Sequence, residues 1–205
     1  SPFALGKGKR QREILARHVR EHGVCVAAVN QVGGNDDLIF DGHAAVFVPD
    51  GAGGARLIGA GAGFEEGMTT VDLDADRVDW SAIPSSADPL IESHDMSLLW
   101  RALVLGVRDY CRKTGFNEAV IGLSGGIDSA VTAAIATAAL GADKVLGVGM
   151  PSRFSSPGSV IDAEASAKAL GLRFELAPIT GHHDAVESSM RELFERIGAD
   201  TTPGV

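Results

Sequence analysis

A short stretch in the second half of the chain carries the residue types best suited to bind a phosphorylated ligand. It reads Ser124-Gly125-Gly126-Ile127-Asp128-Ser129. An apolar, strand-like run over 119–123 precedes it, and an alanine-rich, helix-like run over 130–140 follows it. A strand, a glycine turn and a helix N-terminus together expose backbone N–H groups at a position where the helix dipole favours negative charge. The stretch therefore predicts an anion-binding loop.

The residue types in this loop suit different parts of a nucleotide. Gly125 and Gly126 let the backbone approach a ligand closely, and the hydroxyls of Ser124 and Ser129 are donors suited to phosphate oxygens. Asp128 differs from them, because a carboxylate repels phosphate unless both bind the same Mg²⁺. The alternative is an ordinary strand-to-helix turn with one N-cap residue, which accounts for one of these residues and not for the run.

The loop has no Gly-Lys-Ser/Thr ending of the Walker A type, which favours release of intact pyrophosphate over γ-phosphoryl transfer. Ser-Gly-Gly-Ile-Asp-Ser resembles the signature of the ATP pyrophosphatase (PP-loop) family. The resemblance implies that ATP is split between its α- and β-phosphates while a substrate is adenylated. It also implies that Ser124 positions the pyrophosphate and that Asp128 binds Mg²⁺. The ATP contacts implied around the loop are Gly122, Leu123, Ser124, Gly125, Gly126, Ile127, Asp128 and Ser129.

The elements around the loop must place it at the edge of a sheet. The pattern predicts a helix over 96–113, strands over 119–123, 144–150 and 173–177, and helices over 130–140, 159–170 and 182–197. Apolar strands that alternate with helices are typical of a parallel sheet with right-handed crossovers, here a Rossmann-like α/β domain. Ligands of such sheets bind beyond the carboxyl ends of the strands. Two loops are expected at that end, the phosphate loop and the polar loop that follows Met150.

The second of these loops carries a resemblance of its own. Met150-Pro151-Ser152-Arg153-Phe154-Ser155-Ser156 resembles the corresponding segment of glutamine-dependent NAD synthetases. The resemblance implies that the backbone near Met150 borders the adenine and that Arg153 and Ser155 lie near the nucleotide. For Arg153, a solvated loop arginine is the alternative.

The first part of the chain has a different pattern. It predicts a helix over 9–21, a buried strand over 24–29, a loop over 30–37 and short strands over 38–40, 44–48, 56–60 and 70–73. Val29-Asn30, together with the run from Val32 to Gly42, is similar to the later part of a nitrilase-type (carbon–nitrogen hydrolase) glutaminase domain. The family's fold is an α-β-β-α sandwich, of which this part would be the C-terminal portion.

The opening Ser1-Pro2-Phe3-Ala4-Leu5-Gly6-Lys7 resembles the segment of that hydrolase family just beyond its catalytic cysteine. The resemblance implies that Ser1 and Lys7 contact bound glutamine, a hydroxyl and a cation suited to the ends of an amino acid. A loop serine and a solvated lysine are the alternative. The catalytic Glu, Lys and Cys of the family would all precede Ser1.

Several other residues could carry chemistry, and each has a plainer interpretation. Cys25 lies in an apolar run and is predicted to be a buried, inert thiol. His22 and His43 are expected at the surface, and Asp36-Asp37 in a solvated loop. His182 and His183 are adjacent, so on a helix their side chains point about 100° apart. They are interpreted as polar residues of a helix start rather than as a metal pair.

The composition restricts the class of protein. The 205 residues carry a formal charge of −9 and are 45% hydrophobic, with a mean hydropathy of +0.12. These values indicate a globular chain that does not bind nucleic acid nonspecifically. No apolar run reaches about 18 residues, so no membrane span is predicted. The two cysteines, Cys25 and Cys111, form no disulfide or metal pattern, and the absence of a signal-peptide pattern favours the cytoplasm.

The resemblances divide the chain into three parts. Residues 1–78 are predicted to be the C-terminal portion of the nitrilase-like domain, and 79–95 a linker in which Trp80 packs onto a neighbour. Residues 96–205 are predicted to be the N-terminal portion of the PP-loop (adenine nucleotide α-hydrolase-like) domain. The chain starts without Met and both domains look cut, so we expect a fragment.

This arrangement resembles that of the glutamine-dependent NAD synthetase family. The resemblance implies adenylation of deamido-NAD by ATP with Mg²⁺ and amidation by ammonia released from glutamine, in a full-length protein that is a homo-oligomer. Two alternatives stay open. One is another PP-loop enzyme, such as GMP synthetase, asparagine synthetase or a tRNA-thiolating enzyme, and the other is a non-catalytic nucleotide-binding module.

Overall fold

The computed structural model describes residues 1–73 and 84–198. The chain forms two compact units, Ser1–Phe116 and Asn117–Val205. The first part of the predicted linker over 79–95 lies outside the described residues. The predicted packing of Trp80 falls in that part. The predicted second domain starts at 96, whereas the division into units comes after Phe116. The helix over 96–113 therefore packs within the first unit.

The first unit combines helices with two small antiparallel sheets. Its elements are α1 (Lys7–His22), β1 (Val26–Ala28), β2 (Val32–Asn35), β3 (Leu38–Asp41), β4 (Ala45–Pro49), β5 (Ala55–Ala60), α2 (Pro89–Glu92) and α3 (Asp95–Thr114). One sheet has the order β1-β4-β5, and β2 pairs with β3 in a hairpin. The amphipathic pattern of α1 places Val19 against Ala45 and Phe47, and these three form a buried cluster.

The predicted loop over 30–37 is partly wrong, because residues 32–35 form β2 and pair with β3. The glycines that suggest a loop instead allow a close approach to α3. A Cβ on Gly34 would lie 3.2 Å from the Cα of Gly106. The carboxylate of Asp109 also accepts a hydrogen bond from the Gly34 N–H at 2.8 Å. Asp36 and Asp37, in the turn of the hairpin, are exposed as predicted.

Two other strand predictions in this unit need correction. The strand expected over 24–29 is only β1, and it is partly buried rather than buried, because it lies at the edge of its sheet. Val29 is accordingly 87% exposed. Residues 70–73 lie in no strand. Val71 of this segment lies beside β5, since a Cβ on Gly59 would be 2.5 Å from one of its methyl groups. Thr69, just before the segment, donates its hydroxyl to the Ala60 carbonyl at 3.4 Å.

Helix α3 fills the second core of this unit. The spacing of its leucines and alanines predicts an apolar face, of which Leu98, Ala102 and Leu105 are buried while Leu103 is 40% exposed. Gly115 ends the helix in the left-handed conformation. The core consists of Phe64, Leu90, Leu98, Ala102 and Leu105. Three of these five residues come from α3, so the helix forms part of the hydrophobic core of the first unit.

The second unit is the predicted parallel α/β sheet. Its elements are β6 (Ala119–Gly122), α4 (Ile127–Leu140), a 3₁₀ turn (Ala142–Lys144), β7 (Val145–Gly149), α5 (Pro157–Leu170), β8 (Arg173–Leu176) and α6 (Thr180–Ile197). The strands pair in parallel in the order β6-β7-β8. Small residues on the helices let them lie close to the sheet. The core is Leu123, Ala133, Ala136, Val145, Ala163, Ala167 and Leu172.

The spacing of Val186, Met190, Leu193 and Phe194 predicts an apolar face on the last helix, which the structure does not bury. Helix α6 forms over the predicted range, but none of its residues is buried, and Val186 is 63% exposed. Among the described residues, no helix of either unit combines the length and the apolar composition needed to cross a bilayer.

Candidate functional site

The phosphate loop is held in shape by two serine hydroxyls. The Ser129 hydroxyl accepts a hydrogen bond from the Ser124 N–H at 3.2 Å and donates one to the Gly126 carbonyl at 2.9 Å. The Ser124 hydroxyl accepts from the Gly126 N–H at 3.2 Å. These bonds close the loop between the end of β6 and the first turn of α4. The loop is therefore shaped before any ligand binds.

Backbone N–H groups stand open at the start of α4. Ala130 is the first residue of the helix whose N–H finds a carbonyl, that of Gly126 at 3.2 Å. The preceding N–H groups are the unpaired donors that every helix start presents. Within the described part of the chain, four N–H groups around the turn donate to no protein acceptor; they belong to Gly125, Ile127, Asp128 and Ser129. Together with the helix dipole they form a site for an anion.

Gly125 is required at its position for two independent reasons. Its φ is 81°, in the left-handed region that favours glycine. A Cβ there would also lie 2.3 Å from the carbonyl oxygen of Ser159, in the first turn of α5. The loop thus packs directly against the start of α5, a contact that the sequence does not predict.

Asp128 lies in the first turn of α4, and its side chain is exposed. Its backbone carbonyl accepts a hydrogen bond from the Thr132 hydroxyl at 2.8 Å. Among the described residues its carboxylate forms no ion pair or hydrogen bond. A carboxylate beside open N–H groups, with no protein partner, is suited to bind a cation that phosphates also bind.

The loop after β7 meets the phosphate loop at the carboxyl ends of the strands, as expected. A cavity of about 220 Å³ lies between them. It is lined by five of the predicted ATP contacts, Gly122, Leu123, Ser124, Met150 and Ser155, and by Gly149, Pro151, Ser159, Val160, Ala163 and Leu176, which were not predicted. Of the residues that were not predicted, Ser159, Val160 and Ala163 lie on α5. The sequence indicates only where this helix begins, at Ser156-Pro157. There the Ser156 hydroxyl accepts a hydrogen bond from the Ser159 N–H at 3.1 Å.

Arg153 is not among the residues that line this cavity. Its two terminal nitrogens donate to Asp184 and Glu187 on α6, each at 2.8 Å. The hydrogen bond with Glu187 raises the pKa of Arg153, and the same bond lowers the pKa of Glu187. The guanidinium charge is thus offset by two carboxylates.

The two residues predicted to contact glutamine lie in the first unit. The Ser1 hydroxyl accepts a hydrogen bond from the Gln11 side chain at 2.8 Å and lines a cavity of about 230 Å³. The Lys7 ammonium donates to the Pro2 carbonyl at 3.1 Å and does not line that cavity. The structure therefore does not bring Ser1 and Lys7 to one cavity.

Arg12 and His43, which line that cavity, belong to a buried polar network that was not predicted. Arg12 is 8% exposed; it bonds Asp88 at 2.8 and 3.3 Å and the His43 carbonyl at 2.9 Å. The ring of His43 lies 3.2 Å from the carboxylate of Asp41. A Gly42-His43 turn with positive φ at both residues directs the ring inward, and its edge contacts the ring of Phe64.

Two expectations about single residues are corrected here. His43 was expected at the surface and is 6% exposed, because the turn points it into the unit. Cys25 was expected to be buried and is half-buried, because it precedes an edge strand. Partial burial raises the pKa of its thiol, which fits the inert role that was predicted. His22 is exposed, as expected.

Comparison with known proteins gives a consistent family for the whole chain. Residues 99–201 match the family model described as NAD synthase. A glutamine-dependent NAD(+) synthetase from Rhodobacter capsulatus is 42% identical over 202 residues, which are 98% of this chain and 36% of that protein. One from Synechocystis sp. is 39% identical over 195 residues, or 95% of this chain and 34% of the relative. The chain spans about a third of the length of these curated relatives.

Solved structures agree with the sequence matches. The glutamine-dependent NAD+ synthetase from Acinetobacter baumannii, solved in complex with ADP, is similar with a TM-score of 0.84 at 31% identity. The match covers 100% of this chain and 36% of that structure. A glutamine-dependent NAD(+) synthetase from Cytophaga hutchinsonii matches 95% of this chain and 37% of its own with a TM-score of 0.76. At 17% identity, this second match supports the fold alone.

Proposed function

The chain belongs to the NAD synthase family, and on that premise we propose that it forms the ATP-binding part of a glutamine-dependent NAD synthetase, a ligase that makes a carbon–nitrogen bond. One observation carries the proposal. Ser124, the first residue of the phosphate loop, lines the same cavity as Met150 and Ser155 of the loop after β7, and the two loops were predicted separately to contact ATP. Residues 125–129 of the phosphate loop do not line this cavity. A relative of similar fold was solved with ADP, which is consistent with an adenine nucleotide in that place.

The residues of the loop suit the pyrophosphate portion of ATP. The N–H groups at the start of α4 that donate to no described protein acceptor would bind the phosphate oxygens, and the exposed Ser124 hydroxyl lies in the same turn. The hydrogen bonds of Ser124 and Ser129 hold the backbone of this turn. Fixed donors stabilise charge that develops on a leaving group without reorganising. We assign Gly122–Ser129 to the phosphates and Met150 and Ser155 to the nucleoside side of the cavity. Arg153 does not line the cavity, so we assign it no contact with the nucleotide.

Asp128 fits a role in binding Mg²⁺ together with the phosphates. Magnesium sites of this kind use one or two carboxylates and complete the shell with substrate phosphates and water. Asp128 supplies such a carboxylate, exposed and without an ion pair in the part of the chain that the structure describes. When bound, Mg²⁺ neutralises phosphate charge.

The proposed reaction has two steps. A carboxylate oxygen of the nicotinate ring of deamido-NAD attacks the α-phosphorus of ATP, the bond between the α- and β-phosphates breaks, and pyrophosphate leaves. Ammonia then attacks the adenylated carboxyl carbon, and AMP leaves with the bonding electron pair, which gives the amide of NAD. In this scheme the loop binds the leaving pyrophosphate of the first step.

For the first unit we propose the C-terminal portion of a nitrilase-like glutaminase domain. In the full-length protein that domain would supply the ammonia, with its catalytic Glu, Lys and Cys located before Ser1. The sequence resemblance over Val29–Gly42 supports this assignment. Ser1 lines a cavity with Asn30 and remains a candidate to contact glutamine. Lys7 does not reach the cavity, so its role would require a different side-chain position when glutamine binds.

The remaining parts of the proposal concern the whole protein. We propose that it acts in the cytoplasm, as the two unpaired cysteines suggest, and that its full-length form is a homo-oligomer. The division into 1–78, 79–95 and 96–205 stays a prediction.

Pyrophosphate release by the full-length protein tests the proposal. ATP and Mg²⁺ are supplied with and without deamido-NAD, and glutamine is then added. We expect release that requires deamido-NAD, followed by NAD formation on addition of glutamine. Release that requires xanthosine monophosphate, aspartate or tRNA instead would keep the PP-loop chemistry and replace the substrate. No release with any acceptor would favour a nucleotide-binding module.

A further inference from the structure

The tip of the loop after β7 is fastened to α6 by an ion-pair cluster, which we call the Arg153 latch and define as Arg153, Asp184 and Glu187. We propose that Asp184 and Glu187 are positioning residues for the nucleotide, because they hold Arg153 and thereby fix the loop that lines the cavity. The inference rests on the proposed function insofar as the cavity receives a nucleotide.

The geometry of the latch is specific to arginine. Nη1 of Arg153 donates to Oδ1 of Asp184, and Nη2 donates to Oε2 of Glu187, both at 2.8 Å. The two carboxylates are three residues apart on α6 and therefore lie on one face of the helix. One planar guanidinium thus bridges two acids, a geometry that a lysine ammonium does not reproduce.

Aromatic contacts add to the latch. The guanidinium carbon of Arg153 lies 4.9 Å from the centre of the Phe154 ring. That ring in turn meets the ring of His183 edge-on, with centres 5.3 Å apart. The loop tip is therefore attached to the first turns of α6 by two consecutive side chains, one charged and one aromatic.

The latch is connected to the cavity through short backbone links. Ser152 donates its N–H to the Ser155 hydroxyl at 3.0 Å, and Ser155 donates its N–H to the Ser152 carbonyl at 3.1 Å. On the other side, the Pro151 carbonyl accepts from the Ile179 N–H at 3.0 Å. Pro151 and Ser155 both line the cavity, and Arg153 lies between them in sequence. If the latch is broken, we therefore expect Pro151 and Ser155 to shift in the wall of the cavity.

Two other interpretations of the same side chains are weaker. His183, Asp184 and Glu187 lie close enough to hold a metal ion, but the guanidinium of Arg153 already binds both carboxylates. Arg153 could instead be a phosphate ligand stored away from the cavity. In that case, removal of the carboxylates would free the arginine and tighten nucleotide binding. The positioning role predicts the opposite sign.

Nucleotide binding by the full-length protein separates these interpretations. ADP with Mg²⁺ is titrated by calorimetry into the parent, Arg153→Ala, and the double variant Asp184→Asn/Glu187→Gln. We expect both variants to bind about fivefold more weakly, the order of effect of two exposed ion pairs, and the KM for ATP to rise while kcat stays unchanged. Arg173→Gln, which breaks the exposed Arg173–Glu175 pair of the same unit, is the matched control.

Reversal of the charges gives the second test. Arg153→Glu combined with Glu187→Arg, in an Asp184→Asn background, restores an opposite pair at the same place. We expect this variant to recover affinity relative to Arg153→Glu alone. A phosphate ligand would not be recovered in this way. Tighter binding by the double carboxylate variant, or no recovery on reversal, overturns the latch.

Hydrogen exchange of loop 150–156 provides a readout that needs no nucleotide. We expect faster exchange in both latch variants and no change in Arg173→Gln. If the parent binds no ADP, the proposed function fails while the exchange data still decide whether the latch holds the loop. If the parent binds ADP and the latch variants match it, the positioning role is wrong and the proposed function stands.

Discussion

The hydroxyl oxygen of Ser129 lies 3.2 Å from that of Ser124, yet the two serines serve different purposes. The single proton of Ser129 is donated to the Gly126 carbonyl at 2.9 Å, so this hydroxyl shapes the loop. The Ser124 hydroxyl is exposed and accepts from the Gly126 N–H at 3.2 Å. Because the Ser129 proton is used, Ser124 is the donor in the contact between the two hydroxyls, and rotation of this exposed hydroxyl would give its proton to a phosphate oxygen instead. The structure thus separates two residues to which the sequence gives one role.

This separation predicts different effects for two alanine variants. We expect Ser124→Ala to weaken ADP binding about tenfold, because a hydrogen bond to a charged oxygen is lost. We expect Ser129→Ala to lower the free energy of unfolding by about 1 kcal/mol, which calorimetry would register as a melting temperature about 2–4 °C lower. Thr137→Ala, whose hydroxyl bonds within α4 at 2.7 Å, controls for loss of a helix hydroxyl. Equal effects of both serine variants on binding would contradict the separation.

Asp128→Asn tests the metal role without removing the side chain. Asparagine keeps the size and loses the charge that binds Mg²⁺. We expect pyrophosphate release to fall to the background rate while the melting temperature stays unchanged, since the carboxylate is exposed. Titration of Mg²⁺ in the presence of ADP should show the lost dependence directly. Normal turnover by this variant would exclude the metal role.

Gly125→Ala is expected to disrupt the loop. Alanine at a φ of 81° is strained, and its Cβ would lie 2.3 Å from the Ser159 carbonyl oxygen. Strain and overpacking together should lower the free energy of unfolding by about 2–4 kcal/mol. Gly158→Ala, one residue before Ser159, would place its Cβ 3.8 Å from its nearest neighbour and serves as the control. Similar stabilities of the two variants in denaturant titration would show that the close approach is wrong.

The buried Arg12–Asp88 pair is expected to matter for the stability of the first unit. Asp88→Ala leaves the guanidinium of Arg12 without its carboxylate, and an unpaired buried charge costs about 3 kcal/mol or more. Urea unfolding would measure the loss. Lys9→Ala breaks an exposed pair with Asp95, at 3.8 Å, and should have little effect. If both variants unfold at the same urea concentration, the buried pair contributes nothing beyond an exposed one.

Asp50 gives a prediction about pH. Hydrogen bonds from the N–H groups of Ala52 and Gly54 lower the pKa of its carboxyl, and they measure 2.9 and 2.7 Å. Because the folded pKa lies below the unfolded one, this carboxylate stabilises the fold above its ordinary pKa. The contribution is lost as the pH falls through the folded value. NMR titration should find the lowered pKa, and Asp50→Asn should remove this part of the acid dependence. An unshifted titration would rule the turn interaction out.

The second unit could be predicted almost completely from local patterns. Its strands are short apolar runs, its helices end at glycines, and the phosphate loop has a distinctive sequence. These features depend on neighbours in the chain. The contacts that complete the site do not: Ser159 reaches Gly125, and Arg153 reaches α6, across more than thirty residues. Contacts of that kind leave no periodic signal.

In the first unit, local sequence patterns gave wrong predictions where tertiary packing determines the strand or the burial of a residue. The glycines of β2 are typical of a loop, but here they allow the strand to lie close to α3. The carboxylate of Asp109 also accepts a hydrogen bond from the Gly34 N–H. His43 follows a turn signal and looks exposed, but the turn points inward toward Asp41 and Phe64. Burial of a polar residue depends on partners far along the chain, which composition does not reveal.

Helix α3 has a consequence for how the two units could be exchanged in evolution. The family match begins at residue 99, inside this helix, while three of its side chains fill the core of the first unit. A gene fusion or fission at residue 99 would separate most of α3 from the first unit and expose Phe64 and Leu90 to solvent. A viable recombination point lies instead near Gly115, after the helix ends, so we expect the whole of α3 to be inherited together with the first unit.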